Sequence, residues 1–245
     1  MDDRFTFPKT HSLFRRLKRQ KNMKKHLPLA ILLSLQVASA ATITLSSTNF
    51  GFARPTGART VGNHAIGWYS GENVEIRQYL VFDRSSINGT ITAATLRLQS
   101  SATSFASPDP AETWQLFDVL TPTATLLAGT GGAAAFADLG TGTSLASRSV
   151  NGATNNTVLT LDLNSDGLTY LNNQTGTFAI GGALTTLTKT PGISERMFNS
   201  SNVPSFTREL FITYTPASES AVPEPSTCLL FAAGLFTLVA TRKRT

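Results

Sequence analysis

Arg77-Gln78-Tyr79-Leu80-Val81-Phe82-Asp83 decides the reading of the body of this chain. Side chains alternate across an extended backbone, so Tyr79 and Val81 share one face and Leu80 and Phe82 the other. An apolar run bounded by polar residues predicts a central strand buried on both faces. Asn88-Gly89 follows as a turn signal. From Ile91 to Gln99, Ala94, Leu96 and Leu98 then alternate with Thr95, Arg97 and Gln99, which predicts a half-buried strand with its polar face to water.

The same period-two pattern recurs at Ala41 to Ser46, Trp114 to Leu120, Val158 to Leu163, Phe178 to Ile180 and Arg208 to Thr215. Gly, Asn, Ser and Thr separate these runs, and long helical periodicity is absent. Many short strands in one stretch from 41 to 216 predict an all-β, two-sheet sandwich. Helix is expected in less than about a tenth of it, against the usual third. Leu80, Phe82, Ala94, Leu96 and Leu98 are expected to face inward. The lone cysteine, Cys228, lies outside this stretch, so the core rather than a disulfide must hold the fold.

Both flanks read as targeting. Met23-Lys24-Lys25, an apolar run from Leu27 to Val37 and the small residues Ala38-Ser39-Ala40 form a secretory signal peptide, with cleavage expected before Ala41. Residues 1–40 are thus leader, and Met23 is the preferred start over Met1. At the other end, 217–226 is a linker carrying Val222-Pro223-Glu224-Pro225-Ser226. An uncharged apolar run and then Arg242-Lys243-Arg244 fill 227–245. The prolines end any upstream helix, and the cations favour the cytoplasmic side of a membrane. A helix from Pro225 to Arg242 spans roughly 24 Å, short of a ~30 Å hydrocarbon core, so the expected single transmembrane helix relies on snorkelling or anchors temporarily.

Pro223-Glu224-Pro225, one short span and a basic end closely resemble the PEP-CTERM sorting tail. The resemblance implies export, recognition by an exosortase-like membrane protease, and delivery to the surface or matrix of a Gram-negative bacterium that makes exopolysaccharide. Within the body, residues 77–83, Ser86-Ile87, Gly89, Ile91 and Ala94-Thr95-Leu96-Arg97-Leu98 resemble DNRLRE-type jelly-roll domains, relatives of carbohydrate-binding modules. Phe178-Ala179-Ile180-Gly181-Gly182 and the closing run from Leu210 to Pro216 are similar to segments of exported PEP-CTERM proteins. A jelly-roll body is what this resemblance implies.

The formal charge of +6 belongs to the flanks. Residues 1–25 hold nine Lys/Arg against two Asp, whereas 41–226 hold nine Lys/Arg against thirteen Asp/Glu. A mildly acidic body gives no footing for nucleic acid. No His-Glu-x-x-His, Gly-x-Ser-x-Gly or phosphate loop occurs.

Candidate sites are few. Trp68 and Tyr69, in an expected Gly67 to Gly71 loop, and Trp114 are candidate sugar-stacking aromatics; Trp114 alternates with Leu116 and also fits a core position. His64, the one histidine of the mature body, is a candidate acid-base group against a plain loop residue. Glu72 and Glu75 are a candidate glycosidase pair against two solvated carboxylates. Asp162, Asn164 and Asp166 have calcium-loop spacing, but Asn173 stands where a bidentate Glu is wanted, and a helix cap at Asn164 or Ser165 is the competing reading.

No catalytic residue or metal is assigned, and no cofactor is expected beyond that weak calcium candidate. The expected protein is a non-enzymatic surface or matrix module associated with polysaccharide, processed by signal peptidase and an exosortase-like protease. A secreted carbohydrate-active enzyme with an unrecognised site is the alternative.

Overall fold

The computed structural model describes residues 39–198, 203 and 205–217. Twelve strands and three α-helices follow in order: β1 (Ala41–Ser46), β2 (Asn49–Ala53), β3 (Arg59–Val61), β4 (Ile66–Tyr69), β5 (Val74–Asp83), β6 (Gly89–Gln99), β7 (Glu112–Asp118), α1 (Thr123–Ala128), α2 (Gly132–Asp138), β8 (Ser144–Val150), β9 (Val158–Asp162), α3 (Ser165–Asn173), β10 (Thr177–Leu184), β11 (Glu195–Met197) and β12 (Arg208–Pro216). They form the expected two-sheet sandwich. One sheet runs β1-β12-β6-β9 and the other β11-β4-β5-β10-β7-β8, with β2 and β3 added beside β5.

The ladders are antiparallel and nest about the middle of the chain. β7 pairs with β8, β6 with β9, β5 with β10 and β1 with β12. The nested arm folds into two layers because β6 and β12 join in one sheet while β7 and β10 join in the other. The first and last described strands are therefore neighbours, with Ala41 opposite Tyr214.

Leu80, Phe82, Ala94, Leu96 and Leu98 all lie in the main core between the sheets, with Leu210 and Ile212 of β12. A register shift at Thr213/Tyr214 marks a bulge, and it lets both Ile91 and Ala94 face inward although they are three positions apart. Tyr79 and Val81 are buried on the opposite face, as expected, but against a cover the sequence did not announce. Leu126 of α1, Phe136 of α2 and Leu139 form a second cluster over them.

Helix occupies 14% of the described residues, more than the expected tenth. The excess comes from α1 and α2, inserted between β7 and β8, and from α3. Neither α1 nor α2 has a side-chain N-cap or an acid in its first turn, so both lack a start signal in sequence. Their seat depends on a missing side chain: a Cβ on Gly181 of β10 would lie 2.7 Å from the Leu139 carbonyl oxygen. β7 also ends before the expected Leu120, which leaves the sheet toward α1 and is 78% exposed.

α3 closes one end of the core with Leu171. Asn164 is its N-cap, its side chain accepting from Gly167 N at 2.8 Å. Arg84 Nη1 donates to the carbonyls of Leu171, Asn172 and Gln174 at 2.8, 3.0 and 2.9 Å, placing a cation on the orphan acceptors of the helix C-terminus.

Candidate functional site

The three candidate aromatics do not converge. Trp114 is fully buried in the main core, its ring centroid 4.8 Å from that of Phe198, so it is a core residue and no sugar platform. Alternation on β7 puts it inside with Leu116. Trp68 and Tyr69 sit in β4 rather than a loop, because β11 and β5 pair with that strand on its two edges. Both are half-buried. Tyr69 packs on the cluster of Phe52, Ala65 and Ile76, with the Arg196 guanidinium 5.3 Å from its ring centroid. Gly67, just before Trp68, has φ of 119°, and a Cβ there would lie 2.1 Å from the Glu195 carbonyl oxygen, so β11 can pair only against glycine.

His64 lies in the loop before β4, as the competing reading expected, but it is buried. Its ring is buried between Phe50 and Phe198, with centroids 5.9 and 5.4 Å away. Nε2 lies 3.3 Å from the Gln99 carbonyl, which can only accept, so Nε2 carries the proton. Nδ1 then accepts from Arg208 Nε at 3.2 Å. Burial and the Arg208 charge pull the imidazole down to about 3, against the raising effect of the Gln99 bond. With both nitrogens engaged, the ring is a neutral core spacer holding β12 to the loop before β4. Arg208 is the residue that sequence reading missed. Its guanidinium lies 3.9 Å from the Phe50 ring centroid and donates to the Phe206 and Val203 carbonyls at 3.2 and 3.3 Å.

Glu72 and Glu75 turn to different partners. Exposed Glu72 pairs with Arg54 at 3.2 Å, while Glu75 is held by Arg77 at 2.7 Å and Lys189 at 2.6 Å. Burial pushes the Glu75 carboxyl up, but the bonds and charges of Lys189 and Arg77 outweigh it, and it lies below the usual carboxylate range. Buried Glu195 accepts from Thr188 N at 2.6 Å, from the Thr188 hydroxyl and from Lys189 N at 3.3 Å. There too burial raises the carboxyl and those donors overcome it, so the net shift is downward. Both carboxylates pin the segment between β10 and β11.

The Asp162–Asp166 stretch forms the end of a strand followed by a helix cap. Asp162 accepts from Thr95 Oγ1 at 2.6 Å across to β6. Asn164 is occupied on both sides, accepting from Gly167 N and donating from Nδ2 to the Ser144 carbonyl at 2.9 Å. Asp166 stands in the first turn of α3, where the helix dipole favours an acid.

Open surfaces remain among the described residues, including a cleft of about 590 Å³ beside Ser46, Phe50, Phe206 and Arg208. Another, of about 560 Å³, runs along one side of α3, lined by Asp118, Leu120, Asp166, Tyr170 and Asn173 among others. The outward face of the four-stranded sheet is broader. One row across its strands reads Thr44, Phe211, Thr95, Asp162, and the next Ser46, Glu209, Arg97, Thr160. Arg97 and Glu209 pair at 3.1 Å. Phe211 is 40% exposed at the centre of the first row. Alternation within Leu210-Phe211-Ile212 held this signal in the sequence: Phe211 must oppose two core residues.

Ala40 is exposed and Ala41 opens β1, but Ala38 lies outside the described residues, as does the rest of the leader. Val222, Pro223, Glu224, Pro225, Ser226, Cys228, Arg242, Lys243 and Arg244 also lie outside them, and so does the expected transmembrane helix. Among the described residues no helix is long and apolar enough to cross a membrane, and no group of three or more His, Cys, Asp or Glu side chains is placed to hold a metal. No curated protein matches the chain. Residues 221–244 do match a family model, that of the PEP-CTERM protein-sorting motif. The segment after β12 is therefore the sorting signal of an exported exosortase substrate, membrane-anchored at its C-terminus before processing.

Proposed function

We propose that this chain is a non-enzymatic surface or matrix protein of a Gram-negative bacterium, exported by its signal peptide, sorted through 221–244, and associated with exopolysaccharide through its β-sandwich. The observation that carries the reading is the sorting motif joined within a few residues to the end of β12. The nested pairing of the eight main strands supports the jelly-roll reading that the DNRLRE resemblance implies. Signal peptidase and an exosortase-like protease are the processing partners.

A carbohydrate-active enzyme, the alternative, needs a carboxylic acid held above its ordinary range to protonate a leaving group. Glu75 and Glu195 shift the other way, and both nitrogens of His64 are engaged, so these residues give that alternative no support. Incubating the purified full-length chain with a panel of polysaccharides tests the choice. No new reducing ends, together with retention on at least one polysaccharide, is the expected result. Turnover abolished by a single carboxylate substitution would establish the enzyme.

A further inference from the structure

We propose that the outward face of the four-stranded sheet, centred on Phe211, is a binding platform for a neutral polysaccharide. The inference rests on the binding-module reading above and names its surface and ligand class.

The two sheets are unequally covered. α1 and α2 lie over Tyr79 and Val81 on the outer face of the larger sheet, whereas among the described residues nothing lies over Thr44, Phe211 and Thr95. Four strands about 4.8 Å apart give a platform roughly 14 Å across. Its chemistry is narrow: an exposed ring flanked on both sides by threonine hydroxyls at cross-strand distance. The apolar face of a pyranose stacks on such a ring, and its rim hydroxyls reach the flanking side chains. Thr95 donates to Asp162, which leaves its lone pairs, and the second oxygen of Asp162, free to accept from a sugar diol.

Charge selects the ligand class. Arg97, the cation of the face, is paired with Glu209, and 41–226 holds more acids than cations, so an acidic polymer is repelled rather than drawn in. Exposed large apolar side chains on this face are Phe211 and Val158, too sparse for the desolvated core of a stable protein interface. A neutral glycan, which binds through stacking and hydroxyl networks without a large apolar patch, meets both conditions.

The test is native affinity electrophoresis of the full-length chain in mild detergent, in gels containing a mixed-linkage β-glucan, mannan, dextran or alginate. Wild type should be retarded by at least one neutral polymer and not by alginate. Phe211→Ala should weaken that retention about tenfold, as loss of one aromatic contact does. Thr95→Val should weaken it less, Phe211→Tyr should preserve it, and Leu120→Ala in the α3 cleft should leave it unchanged. Far-ultraviolet circular dichroism verifies each fold. Thr95→Val and Thr44→Val carry the test should Phe211→Ala not fold.

Retention unchanged in folded Phe211→Ala and Thr95→Val overturns this face and leaves the binding reading standing. Retention lost in Leu120→Ala moves the site to the cleft. Salt-sensitive retention on alginate overturns the neutral class. Two further outcomes overturn the proposal by naming another occupant: sedimentation showing a dimer dispersed by Phe211→Ala, or binding that appears only after removal of 217–245. Wild type retarded by none of the four polymers overturns the binding reading itself.

Discussion

Arg208 Nε donates to His64 Nδ1 at 3.2 Å inside the protein, so the only histidine among the described residues is committed to neutrality. Its pKa falls from 6.5 to about 3, and the unfolded chain therefore takes up a proton that the native chain refuses across that interval. The His64 contribution to stability is full above about 6.5, declines as pH drops, and is wholly lost below about 3. At about 1.36 kcal/mol per unit, the loss between pH 7 and pH 5 is roughly 2 kcal/mol. Urea midpoints at the two pH values measure it, and His64→Gln should flatten the difference. Glu75 and Glu195, held low, lose their contribution only at more acidic pH. Equal wild-type midpoints would refute the neutral buried imidazole.

Leu96 is fully buried in the main core between Leu161 of β9 and Leu210 of β12 in the strand register. Leu96→Ala should cost roughly 2–5 kcal/mol. Denaturant titration yielding a loss below about 1 kcal/mol would put Leu96 on the wrong face.

Gly181 and Gly182 separate two kinds of contact. A Cβ on Gly181 meets the Leu139 backbone at 2.7 Å, whereas on Gly182 it meets the Gln78 side chain at the same distance. Backbone yields less readily than a side chain, so Gly181→Ala should destabilise by about 1–3 kcal/mol and Gly182→Ala by less. The reverse order in thermal melts would show that α2 does not rest on β10.

Asn164 caps α3 with its side chain. Asn164→Ala should cost about 1 kcal/mol, and millimolar calcium should leave the wild-type melting temperature unmoved. A calcium-dependent rise that Asp162→Asn or Asp166→Asn removes would restore the cation reading of this stretch.

Pro223 and Pro225 lie in the sorting segment, ahead of its basic end, and a proline disfavours helix at the residue before it. Changing both to Ala should remove that constraint and impair recognition by the protease, so uncleaved precursor should accumulate in the membrane. Mass spectrometry of the surface form decides it. A mature native protein still carrying 229–244 would defeat the cleavage model.

How far the sequence could be read depended on whether an element follows from its own residues. β5 and β6 do, since alternation alone assigns Leu80, Phe82, Leu96 and Leu98 to the core. α1 and α2 do not: they are short, rich in Ala and without a side-chain N-cap, and their docking on Tyr79 and Val81 stabilises them. The one hint was that a strand apolar on both faces needs two covers. Trp68 and Tyr69 read as loop because β4 and β11 are short strands fixed by pairing with distant partners. His64 and Arg208 are far apart in the chain, and nothing local announces their contact.

The placement of β12 has a mechanical consequence. Tension delivered through the sorting segment enters the body at Pro216, along a strand bonded to β1 on one edge and β6 on the other. The ladder bonds run perpendicular to that pull, so the load falls on two rows of bonds at once, in shear, instead of peeling them one by one. A domain held by an interior strand resists drag better than one held by an edge strand, and β1, bonded along one side of β12, reinforces the strand that takes the load.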